Sequence, residues 1–137
     1  MTGARVLIWG MFLLLLGGCQ TFTNRLVGAG QVLLQGSSSE RSVAQGIASY
    51  NNGDYQAAVV LLRHALEDVT LSKSNRINAH KYLAFTHCIS VREKQCQESF
   101  ERIIAINPDF NLTPAEAGHP VWGPVFRGVK ARKNGKP

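Results

Sequence analysis

Two stretches of this chain carry one spacing of small and large apolar residues. In the first, Gly46, Ala58, Leu62 and Ala65 are separated by 12, 4 and 3 residues; in the second, Ala84, Cys96, Phe100 and Ile103 repeat those intervals 38 positions later. Intervals of three and four place side chains on one face of a helix. The interval of twelve leaves room for the end of one helix, a turn and the start of the next. The duplicated spacing therefore predicts two copies of one helical hairpin, in which the small residues at 46 and 58, and at 84 and 96, sit where the paired helices cross closest. Leu62 and Phe100 fill the space beside each crossing.

The ends of these helices are marked locally. Ser37 and Glu40 have the spacing of a capping box, so a helix begins near residue 38. Asn51-Asn52-Gly53-Asp54 breaks it, because Asn and Gly tolerate the positive φ of a tight turn and Asp54 can cap the next helix. That second helix runs over about 55–69, and a third, capped by Ser72 or Ser74, reaches about 90. The fourth, from about 93, stops at Asn107-Pro108, where proline disfavours helix in the residue before it. The expected architecture is all-α, with four helices in two hairpins.

The segment 46–66, GIASYNNGDYQAAVVLLRHAL, resembles a tetratricopeptide repeat, with a small residue on each helix and a large apolar one four later. Three departures stand out. The period exceeds the repeat's usual 34 residues, with the extra length between Thr70 and Ser74; Pro108 closes the second repeat but no proline closes the first; and Tyr50 sits one place later than the repeat's tyrosine, a place His87 takes in the second copy. Two such units bury little core unless capped. Thr113-Pro114-Ala115-Glu116 offers a second capping box and a short C-terminal helix, which would complete a repeat domain over 37–117. Residues 118–126, GHPVWGPVF, carry two prolines and are expected to be extended or bent, followed by a basic tail to residue 137.

The N-terminus has the form of a secretory signal. Arg5 precedes the apolar run VLIWGMFLLLL at 6–16, which ends in Leu-Gly-Gly-Cys at 16–19. A helix of that length spans only about 16 Å, roughly half a bilayer core. The expectation is a lipoprotein signal over 1–18, cleavage before Cys19, and acylation of Cys19, with two or more acyl chains giving stable anchoring. Gln20 rather than aspartate follows the cysteine, which favours outer-membrane delivery in a bacterial lipoprotein. Residues 19–36 form a tether with a mean reach of about 20–25 Å.

The formal charge of +6 does not make a nucleic-acid-binding face, because the excess is confined to Arg5 and to Arg127, Lys130, Arg132, Lys133 and Lys136. Elsewhere bases and acids balance. Cys88 and Cys96 face each other toward the ends of neighbouring antiparallel helices, which favours a disulfide in an oxidising compartment over two buried thiols. With His80 and His87 they match no standard metal spacing, so no metal or other cofactor is expected. No Ser-His-Asp order, paired acids or phosphate loop stands out, and Gly28-Ala29-Gly30 is too short for a nucleotide fingerprint. The expectation is a protein without catalytic residues.

Taken together, the lipid-attachment box, the two repeats, the pair in HCISVREKQC and the run NPDFNLTPAEAGHPVWGPVF make the mature chain similar to type VI secretion-associated lipoproteins of the TssQ-like family. That resemblance implies an accessory outer-membrane lipoprotein of an envelope-spanning contractile secretion machine, facing the periplasm and acting on protein partners. It supplies no catalytic residue. Alternatives are a pilotin-like lipoprotein serving another envelope complex, or a peptidoglycan-associated envelope protein. The first helices of successive repeats line the inner face, so helical phase nominates Tyr50, Asn51, Asn78, Lys81 and Tyr82 as partner contacts. Trp122 and Phe126, four apart in the proline-rich strip, are nominated either as a cap on the second hairpin or as anchors for a partner.

Overall fold

A computed structural model of the chain describes residues 36–133 and residue 135. Cys19, the signal segment and the tether up to residue 35 lie outside the described residues. The described part is all-helical: α1 (Ser38–Asn51), α2 (Tyr55–Glu67), α3 (Lys73–Ile89), α4 (Glu93–Ile106), the single turn α5 (Pro114–Ala117) and α6 (Trp122–Lys133). No helix among these residues is long and apolar enough to cross a membrane.

Local capping sets four of the starts. The Ser37 hydroxyl accepts from the Glu40 amide while the Glu40 carboxylate accepts from the Ser37 amide; Asp54 accepts from the Ala57 amide and Ser72 from the Asn75 amide. Thr113 and Glu116 form the second reciprocal pair at the head of α5. Gly53, at φ 79°, makes the turn between α1 and α2.

The helices pair in sequence order. α1 packs on α2 and α3 on α4, while α3 also touches α1 and α2 and so joins the hairpins. Gly46, Ala58, Leu62 and Ala65 are buried in the first hairpin, and Ala84, Cys96, Phe100 and Ile103 in the second. Val43, Val59, Leu62, Leu71 and Leu83 form one apolar cluster; Phe85, Phe100, Ile103 and Ile104 centre the other, and Tyr82 packs against both. Cys88 and Cys96 are joined in a disulfide with their Cα atoms 5.1 Å apart.

The C-terminal segment departs from expectation. Only residues 118–121 are bent; from Trp122 the chain is helix through Lys133, with Pro124 the third residue. A proline in the first turn forfeits no intrahelical bond, because the amides there have no helical partner. Freed of that constraint, Trp122, Phe126 and Val129 recur at intervals of four and three and bury one face against the second hairpin. Three of the basic residues in this helix are tied to the rest of the fold. Arg127 donates to the Ala117 carbonyl at 3.0 Å, Lys130 to the Phe110 carbonyl at 2.9 Å, and Arg132 lies 3.5 Å from the Glu101 carboxylate.

Candidate functional site

Aromatic rings from α1, α2, α3, α6 and the bend before α6 form a continuous series. Tyr55 and Tyr50 lie 5.8 Å apart, Tyr50 and Tyr82 5.2 Å, Tyr82 and Phe85 5.8 Å, and Phe85 stacks on Trp122 at 4.3 Å. His119 closes the series, its ring parallel to the Trp122 indole. Edge-to-face and offset pairs of this kind add to the stability of the area they bury. The series therefore fixes Tyr50 and Tyr82 from opposite hairpins into one rigid surface.

A single ion pair locks this surface to the C-terminal segment. The Lys81 ammonium lies 2.7 Å from the Glu116 carboxylate, with both side chains about four-fifths shielded from solvent. Lys81 also stands 5.2 Å from the Tyr82 ring centroid and 5.9 Å from that of Phe85. Burial raises the Glu116 carboxyl, but the hydrogen bonds from Lys81 and from the Thr113 amide outweigh it and hold the group below the usual carboxylate range. Burial, with help from the neighbouring Tyr55, Tyr82 and Glu116, pushes the Tyr50 phenol up, so it stays a neutral donor and acceptor.

The structure brings together three of the five residues nominated for the inner face. Tyr50, Tyr82 and Lys81 share it; Asn78 lies half-buried one turn before Tyr82, and Asn51 sits exposed at the end of α1. Lys81 is committed to Glu116 and is a tie between α3 and α5 rather than a free contact. Trp122 and Phe126 take the capping alternative. Both are buried, Trp122 with its indole N–H donating to the Glu116 carbonyl at 2.9 Å, Phe126 with its ring 5.2 Å from Phe100 and 6.0 Å from Phe110. Both lie in the apolar cluster centred on the second hairpin.

Glu116, His119 and Phe85 belong to this surface, and sequence reasoning does not nominate them for it. Glu116 signals only its capping box, and its pairing with Lys81, 35 residues away, obeys no local spacing. Among the described residues no group of three His, Cys, Asp or Glu side chains is placed to hold a metal ion. Comparison with family models, curated proteins and solved structures returns no match for this chain.

Proposed function

We propose that the two hairpins are tetratricopeptide-type repeats capped by α5 and α6, and that the chain is a lipid-anchored adaptor of a type VI secretion machine on the periplasmic face of the outer membrane. It works without catalysis, by holding a segment of a machine component on the face that carries Tyr50 and Tyr82. The observation that carries this reading is the junction of those two tyrosines. They come from the first helices of the two hairpins, stand half-buried 5.2 Å apart, and are backed by a packed core and the Lys81–Glu116 ion pair. Tyrosines held in this way present flat area and a hydroxyl with little left to lose in side-chain entropy.

The repeat assignment rests on the duplicated 38-residue register and on the burial of Gly46, Ala58, Ala84 and Cys96. Anchoring rests on the apolar run that ends in Leu-Gly-Gly-Cys. Cys19→Ser is expected to leave the protein unprocessed or released from the outer membrane, read by mass spectrometry of the mature chain and by membrane fractionation.

The decisive experiment is crosslinking in the producing cell with a photoreactive side chain at Tyr50 or Tyr82. The expected product joins this protein to a component of the contractile machine, and Tyr50→Ala with Tyr82→Ala abolishes it. A product with a different envelope complex would support the pilotin-like alternative. Binding or turnover of purified peptidoglycan, with no protein product, would replace the adaptor reading.

A further inference from the structure

The side of α3 turned away from Tyr82 carries His80, Leu83 and His87, at intervals of three and four and therefore in one row. That row floors a cleft of about 880 Å³ walled by α2 and α4. Val59, Leu66 and Leu83 make its base apolar, while Arg63 rises from α2 and Arg92 and Arg102 from α4. Among the described residues none of these three guanidiniums is in an ion pair. Lys133 also lines the cleft, as do Glu67, Glu98 and Glu101, of which Glu98 lies 3.9 Å from Lys94 and Glu101 3.5 Å from Arg132. His87 is 8% exposed, and its buried Nδ1 has no hydrogen-bond partner. That nitrogen is enclosed and not open to the cleft; what the cleft offers a ligand is three guanidiniums without an ion pair.

The cationic groups fall at two ends. Arg63 and Arg92 line the cleft with His87, and Arg102 lines it with His80; burial lowers both imidazoles, helped by Arg92 and Arg63 against Glu98 at His87 and by Arg102 and Arg76 at His80. His80 and His87 are two helical turns apart, about 10 Å, and Arg92 and Arg102 are about 15 Å apart along α4. The first end is held by an unusual turn. Val91 takes a φ of 58°, which lets the Arg92 amide donate to the His87 carbonyl at 2.8 Å, and the Cys88–Cys96 disulfide closes the same turn. Arg92 stands at the N-cap of α4 and makes no side-chain cap bond, so the positive end of the helix dipole adds to the guanidinium.

We propose that this cleft binds an acidic, extended segment of a protein partner, one carboxylate lodging between Arg63 and Arg92 and a second, three or four residues along, at Arg102. Extended chain rises about 3.3 Å per residue, so that interval matches the 10–15 Å between the ends. The planar guanidinium fork suits carboxylate oxygens, and the apolar base between the ends takes an uncharged side chain. Glu98, which lines the cleft between them, disfavours a third acid. A lone phosphate would fill one end only. This surface is separate from the tyrosine face and does not depend on it.

The test is fluorescence polarisation on the full chain in detergent, with a labelled alanine-based peptide carrying two glutamates four residues apart and a leucine midway, against its glutamine twin. The glutamate peptide is expected to bind about tenfold tighter or more, with an advantage that shrinks as salt rises. Arg92→Gln and Arg102→Gln each remove most of that advantage, Arg92→Lys removes part of it, and Arg41→Gln on α1 leaves it intact. Melting curves establish that the variants fold; should Arg92→Gln unfold, Arg92→Lys and Arg102→Gln carry the comparison. Equal affinity for the two peptides, or indifference to the arginine variants, overturns the proposal. So does arginine-dependent binding of anionic phospholipid vesicles that displaces the peptide, which would assign the cleft to the membrane, or loss of peptide binding in Tyr82→Ala, which would move the contact to the tyrosine face.

Discussion

A Cβ placed on Gly46 would lie 2.7 Å from Cγ of Leu62 and 3.3 Å from its backbone nitrogen. Leu62 is fully buried and has no free volume to retreat into, so α1 and α2 approach this closely only while residue 46 has no side chain. At the matching place in the second hairpin Ala84 is itself fully buried, which shows that the second crossing accommodates one methyl more. Gly46→Ala is therefore expected to destabilise by about 1–3 kcal/mol despite the better helix propensity of alanine. Urea denaturation with an unchanged slope would register it as a lower midpoint. A midpoint at or above the parent's would show that the crossing is looser than this geometry.

The C-terminal helix is expected to be part of the folding unit. Trp122→Ala removes the ring stacked on Phe85 and the bond to the Glu116 carbonyl, at a cost of about 3–5 kcal/mol. Gly123→Ala tests the same seam without deleting apolar area. A Cβ there would meet the Ala117 carbonyl oxygen far inside contact distance, and that carbonyl also accepts from Arg127. Both variants should melt well below the parent by circular dichroism. A chain ending at Phe126 should do the same, because it loses Val129 and the Lys130 bond to the Phe110 carbonyl. Parent-like melting with lost partner capture would restore the anchor role to Trp122.

The features legible in the sequence are the local ones. Ser37 with Glu40, Asp54, Ser72, and Thr113 with Glu116 set helix starts through bonds spanning three residues, and those starts fall where the spacing puts them. The cysteine pair is eight apart across one turn, and its bridge is equally local. α6 is obscured because proline reads as a breaker unless its place in the first turn is considered, although Trp122, Phe126 and Val129 already carry helical spacing. Gly123 gives no sign of its function, since its need for close approach comes from Ala117 on another element. The Lys81–Glu116 pair and the cleft of Arg63, Arg92 and Arg102 depend on how α2, α3, α4 and α5 come together, and no interval along the chain encodes that.

Val91 holds a left-handed backbone at φ 58° while 89% exposed. A β-branched residue is strained there by roughly 1–2 kcal/mol, and its side chain gains almost nothing from burial. Val91→Gly is expected to stabilise the fold, by up to about 1 kcal/mol after the greater freedom of glycine in the unfolded chain is deducted. Opening the adjoining Cys88–Cys96 bridge acts in the opposite sense, with about 2–3 kcal/mol lost on the chain-entropy account of a loop this short. Thermal melts of parent and Val91→Gly, with and without reductant, separate the two effects. A less stable Val91→Gly would mean that the turn relies on a contact of the valine side chain.

Stability is expected to fall as the solution is acidified from neutral, with two histidines responsible for the upper part of the decline. Burial, with Arg102 and Arg76 nearby, pushes His80 down to about 4, against an ordinary value of 6.5. Burial, with Arg92 and Arg63, lowers His87 as well, only partly opposed by Glu98. A base whose folded form resists protonation favours unfolding once the unfolded chain can take the proton. The stabilising contribution is therefore complete above about pH 6.5 and is lost progressively as pH falls toward 4. The carboxylates act lower down. Asp68, held at about 2 by the Ser39 hydroxyl and by Thr70, and Glu116, held below its ordinary 4.5 by Lys81 and the Thr113 amide against the upward push of burial, stabilise the fold above the ordinary carboxylate range and lose that contribution in stronger acid. The melting temperature of the parent should thus decline between pH 6.5 and 4.5, and His80→Gln combined with His87→Gln should flatten that interval while leaving the steeper fall below pH 4 in place. An unaltered slope in the double variant would mean that both imidazoles take up protons as readily in the folded chain as in the unfolded one.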